Sequence, residues 1–244
     1  EQLRFVHALE KTGKLDRELE FLPNDEEIAE RQTKGLGFTR PELSVLVAYG
    51  KMILKEQFAI DEIDSNPYYK DLLIEAFPKK LQKKYEKQIQ AHPLRKEIIA
   101  TKLANDVVND MGLNYVTRMQ EETGAPVEEV LTCYVIAREV FGLQDVWTKI
   151  EELDNKIPAI VQTEMLHQMR RTVRRVSRWF LRHRNKSSSI SESIAEYKST
   201  FDKMSTHLGD YLVEKEKELL LSSQKDFERE GVPAEIAAYV TQLS

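Results

Sequence analysis

Five histidines, at positions 7, 92, 167, 183 and 207, are the side chains best suited to carry protons or bind a metal near neutral pH. A zinc site on a helix needs two such ligands three or four residues apart, or a cysteine cluster. No two of these histidines have that spacing, and Cys133 is the single cysteine. No metal site and no catalytic residue are therefore expected. Cys133 lies in Val130-Leu131-Thr132-Cys133-Tyr134-Val135-Ile136 and reads as a small buried side chain. One thiol leaves no internal disulfide and suits a reducing, cytoplasmic setting. The turn Gly35-Leu36-Gly37-Phe38-Thr39-Arg40-Pro41 carries two glycines, but a phosphate-cradling turn wants a strand leading in and a helix leading out. Only the helix is legible, so the segment reads as a flexible joint and no cofactor site is expected.

Charge offers one stronger feature. From Arg170 to Lys186 run Arg170, Arg171, Arg174, Arg175, Arg178, Arg182, Arg184 and Lys186 with no acid among them. On a helix Arg171, Arg174, Arg175, Arg178 and Arg182 form a basic stripe opposite Leu166, Met169, Val173, Val176 and Phe180. Such a stripe can follow a phosphate backbone. However, no stacking aromatics alternate with the arginines and the net charge is −5. A solvated face, or one matched to acidic helices such as Glu214–Glu218, is the better reading, and a nucleic-acid partner is not expected.

Polar groups inside apolar sectors are the remaining signal. In His92–Arg118, Leu94, Ile98, Ile99, Leu103, Ala104, Val107, Val108 and Met111 cover more than half of a helical circumference, which predicts a helix through the middle of a bundle. Thr101 and Asn105 fall in that sector. Left unpaired in a core, each would cost about 1–3 kcal/mol, so an inter-helix hydrogen bond is expected.

These side chains need helices to hold them. Nine glycines in 244 residues, a charged fraction of 32% and little alternation of Val, Ile and Thr predict an all-α multi-helix bundle of ten or more helices. Seven prolines (41, 67, 78, 93, 126, 158 and 233) precede apolar-periodic runs, where a missing N–H is harmless. Helices are predicted near 3–21, 25–34, 41–59, 67–76, 78–90, 93–111, 112–122, 126–141, 143–154, 158–185, 190–207, 210–229 and 233–243. Ile190, Ile194, Tyr197, Phe201, Met204, Leu208 and Tyr211 form a 4-3 seam expected to pair with 210–229 or 158–185. Gly50 inside a helix costs roughly 1 kcal/mol against Ala and predicts a close neighbour, with Ser44 and Ala48 on the same approach. Gly35–Gly37 divides an N-terminal helical segment, residues 1–36, from a bundle domain, residues 37–244. No run of about 18 apolar residues is present to span a membrane. The sequence begins mid-pattern at Glu1-Gln2-Leu3-Arg4, as a piece of a longer polypeptide would.

Three segments carry a resemblance: Leu15-Asp16-Arg17-Glu18-Leu19-Glu20-Phe21-Leu22-Pro23, Gly37-Phe38-Thr39-Arg40-Pro41-Glu42-Leu43-Ser44-Val45-Leu46-Val47-Ala48-Tyr49-Gly50-Lys51, and His92 through Asn109. In order and spacing they resemble the C-terminal region of the large bacterial NAD-specific glutamate dehydrogenases, over about residues 13 to 185. The resemblance implies a parent that oxidatively deaminates L-glutamate to 2-oxoglutarate and ammonia, passing hydride to NAD. It also implies that the substrate lysines and the dinucleotide turn lie upstream, so no catalytic residue carries over. The chain would be a non-catalytic domain serving assembly, positioning of the catalytic region or allosteric control, its partners that upstream region and other copies of the parent. Residues 1–36 would lead in from it. Arg40 and Glu42 become candidates for a salt bridge or interdomain contact, and Thr101, Asn105 and Asn109 for a polar network. Two other readings are a free-standing helical adaptor and a nucleic-acid module using Arg170–Lys186.

Overall fold

The structure, a computed structural model, describes residues 2–59, 63 and 65–243. Fifteen helices and no strand occur among them, so the chain is all-α. In order they are α1 (Gln2–Lys11), α2 (Asp25–Thr33), α3 (Arg40–Phe58), α4 (Pro67–Glu75), α5 (Lys79–Gln82), α6 (Glu86–Gln90), α7 (Arg95–Met111) and α8 (Tyr115–Thr123). Then follow α9 (Val127–Val140), α10 (Leu143–Glu151), α11 (Ala159–His183), α12 (Ile190–Thr206), α13 (Leu208–Tyr211), α14 (Glu214–Arg229) and α15 (Ala234–Leu243). They fall into two compact units, Glu1–Arg118 and Met119–Ser244.

In the first unit α3 lies along α7, and α4 packs on α6 and α7. Val6, Leu9, Leu15, Leu22 and Leu46 form one buried cluster, with Phe5, Phe38, Leu43, Tyr49 and Leu113 against it. The N-terminal segment thus shares a core with α3. The helix predicted over 3–21 ends at Lys11 instead. Gly13 takes φ +68°, and its N–H donates to Glu10 O at 2.9 Å. Glycine adopts that left-handed conformation at no steric cost, and it turns the chain out of the helix. The run predicted over 78–90 is split between α5 and α6. Lys79 and Lys83, then Lys80 and Lys84, stand at i, i+4, where like charges repel.

In the second unit α9 is the central helix, with Val130, Leu131, Cys133, Tyr134, Val135, Ile136, Ala137, Arg138 and Val140 all buried. Both α11 and α12 pack on it, α10 packs on α9 and α11, and α14 packs on α15. This corrects two expectations. The helix with the most buried residues is α9, whereas α7 keeps Thr101 and Asn109 exposed. The 4-3 seam of α12 lies chiefly on α9, because α9 has enough apolar surface for two neighbours. Helix α12 also meets α11 through Phe180 and Tyr197, whose ring centroids are 4.7 Å apart. The seam does not continue into α14: Leu212 is extended and Val213 caps a fresh helix by donating to Glu216 at 3.0 Å.

Candidate functional site

The start of α3 is a built joint. Pro41 sits in the first turn, and the Thr39 N–H donates to the Glu42 carboxylate at 2.6 Å. The Arg31 guanidinium of α2 donates to both Glu42 oxygens at 3.0 and 2.8 Å. Glu42 therefore satisfies an orphan N–H of one helix and ties it to another. Burial pushes the Glu42 carboxyl upward, but the bonds from Arg31 and Thr39 outweigh it and the pKa is lowered. Arg40, two residues away, is exposed and makes no ion pair among the described residues. Glu42 is thus paired with Arg31, while the exposed Arg40 is left facing solvent.

Before α2 lies a second charged knot. The Arg17 guanidinium donates to Glu10 at 2.7 Å, to Asp25 at 2.7 Å and to the Pro23 carbonyl at 3.2 Å. His7 Nε2 lies 3.0 Å from Asp25. Desolvation by burial works against the Arg17 charge, yet Glu10 and Asp25 leave its pKa raised. The hydrogen bond from His7, then that from Arg17, lowers the Asp25 pKa. The Tyr49 hydroxyl of α3 donates to Glu20 at 2.7 Å, so the turn between α1 and α2 is fastened at both ends. Arg31, Arg17 and this knot escaped the sequence reading. Their signal was present only as mixed charges on either side of a turn that the sequence reading took as helix.

Thr101, Asn105 and Asn109 stand at successive i, i+4 positions of α7. Thr101 is exposed and donates within its own helix to Glu97 O at 2.6 Å. Asn105 is half-buried and Asn109 exposed. With Ala76, Leu94 and Ile98, Thr101 and Asn105 line an open groove of about 440 Å³. Gly50 does meet a close neighbour: a Cβ placed there would run into Leu113 Cδ2. Ser44 and Ala48, by contrast, face outward.

In the second unit the basic stripe is partly spent on acids. Arg178 pairs with Glu122, Lys186 with Glu129 at 2.7 Å, and Arg171 with Glu164 at 3.4 Å. The acids come from α8, α9 and α11 itself rather than from α14. Cys133 is buried, and burial raises its pKa to about 11, leaving a protonated thiol. Phe141, Trp179, Phe180, Tyr197, Phe201 and Tyr239 line an apolar cavity of about 380 Å³. Its polar groups face one another: Thr172 donates to Leu243 O at 2.6 Å, and the Tyr239 hydroxyl donates to Phe141 O.

Comparison with known proteins decides the family. A sequence model described as glutamate dehydrogenase, C-terminal, matches residues 35–244. The chain belongs to this glutamate dehydrogenase C-terminal family. It is 38% identical over 237 residues (97% of the chain) to the NAD-specific glutamate dehydrogenase of Halomonas elongata. It is 38% identical over its whole length to that of Pseudomonas aeruginosa, and 29% identical over 227 residues to that of Mycobacterium tuberculosis. The chain spans only 15% of the length of the first two relatives. In those relatives the matching region is thus a small part of a much longer polypeptide.

Proposed function

We propose that the chain is the non-catalytic C-terminal domain of a large NAD-specific glutamate dehydrogenase and that it positions the catalytic region. The parent polypeptide would oxidise L-glutamate to 2-oxoglutarate and ammonia while reducing NAD, in the cytoplasm. What carries this reading is the 38% identity over nearly the whole chain to two enzymes of that name. Residues 1–36 would lead in from the catalytic region. The parent's NAD and glutamate sites would belong to the polypeptide beyond this domain, and copies of the parent would assemble as a homo-oligomer.

Assaying the isolated chain beside the full-length polypeptide for glutamate-dependent NADH formation tests the non-catalytic part. Turnover should appear only in the full-length protein, and turnover by the isolated chain would overturn the reading.

A further inference from the structure

The turn between α1 and α2 presents two large apolar side chains to solvent: Leu19 is 75% and Phe21 91% exposed. A loose loop could do that at no cost, but this turn is fixed. Leu15 and Leu22 anchor its ends in the core at 5% and 7% exposure. The Asp16 carboxylate accepts the N–H groups of Glu18 and Leu19 at 2.9 and 3.3 Å, and Leu22 N–H closes onto Arg17 O at 2.9 Å. Arg17 and Tyr49 fasten it from below, as described above.

Phe21 itself takes φ +52°. That region is costly for a residue with a Cβ, and uncommon for an aromatic one, so glycine would be the easier residue here. A strained aromatic held rigidly in water contributes nothing to this unit's core. It has the form of an anchor side chain, which gains energy only when a partner covers it.

We infer that the Leu19–Phe21 turn is a docking plug that seats in an apolar pocket on the remaining portion of the same polypeptide. This rests on the reading that the chain is one domain of a longer enzyme. Two observations select that occupant. The matching region is 15% of the length of two relatives, so in them most of the polypeptide lies outside this domain and is tethered to it. The plug's rim is acidic, with Asp16, Glu18 and Glu20, while the Arg17 charge is already spent on Glu10 and Asp25. A two-fold pairing of copies through this turn would oppose the acidic rims. The receiving pocket is apolar with a lysine- or arginine-bearing edge.

The test is photo-crosslinking in the full-length polypeptide with p-benzoylphenylalanine in place of Phe21, and separately in place of Ile160, an exposed control in the second unit at 75%. Crosslinked peptides from outside residues 1–244 of the same molecule are expected at position 21 well above the control. Crosslinks to a second copy's residues 1–244, to a separate protein, or at control level only would overturn the proposal. A Phe21→Gly substitution guards against a folding artefact, because glycine is at ease at this φ. The variant should melt at the same temperature or higher, while proteolytic cleavage between this domain and the remainder speeds up about 30-fold, as loss of an aromatic anchor implies. Unchanged cleavage would also overturn it. If deleting residues 1–244 alters activity while both readouts fail, only the plug is wrong. If the deletion changes nothing, the positioning role itself falls.

Discussion

Glu42 is where a single atom group carries most structural meaning. It accepts from the Thr39 N–H at the α3 N-terminus and, through both of its oxygens, from Arg31 Nη1, at 13% side-chain exposure. Glu42→Gln keeps an acceptor for the Thr39 N–H, since glutamine also serves at this capping position, but removes the charge. Charge-assisted bonds exceed neutral ones by about 1 kcal/mol, so urea denaturation at neutral pH should show a loss of that size. The pH dependence has a definite sign. The folded pKa of Glu42 is lowered, so its contribution is complete above the ordinary carboxylate range and disappears as pH falls through the folded value. The gap between native and variant should therefore close in acid, and a gap constant with pH would contradict the assignment. Gly50 makes a second residue-level case. Gly50→Val drives a branched side chain into Leu113, and a loss of about 1–3 kcal/mol is expected, partly relieved by Leu113→Ala. Purely additive losses in the double variant would contradict the contact. Gly50's close neighbour was legible because glycine within a helix carries a cost. The partner of Glu42 was not, because Arg31 lies eleven residues away across a loop that periodicity does not describe.

Helix existence was written in the apolar spacing and the prolines, and the observed helices follow it closely. Helix ends and partners were less legible. The break after α1 depends on Gly13 entering a left-handed turn, an option the sequence offers but does not require. The split between α5 and α6 follows from lysines at i, i+4, and it can be reversed. Lys83→Glu would set an acid four residues from both Lys79 and Lys87, worth about 0.2–0.5 kcal/mol for each pair. Amide exchange over residues 83–86 should slow about two- to five-fold, and unchanged exchange would place the cause of the break elsewhere. Packing order was the hardest to read. Thr101 and Asn105 sit among apolar residues of α7, yet that side opens onto a groove, while Ile99, Ala100, Leu103, Ala104, Val107 and Val108 are the residues of α7 that become buried. An apolar sector tells that a surface can be covered, not which neighbour covers it.

At the scale of the whole molecule, charge is spent internally. Arg178 and Lys186 meet Glu122 and Glu129, which weakens the basic stripe as a phosphate-binding surface. Fluorescence anisotropy with duplex DNA at physiological salt should show no binding. Salt-dependent binding abolished by neutralising Arg174, Arg175 and Arg182 would restore that surface as functional. In the first unit a buried apolar core carries the exposed Leu19–Phe21 turn. The most direct test is the full-length polypeptide with residues 1–244 removed, assayed for glutamate-dependent NADH formation after its folding is checked by circular dichroism and its assembly by light scattering. A folded protein with strongly impaired turnover is predicted, and a folded one with undiminished turnover would contradict the positioning role.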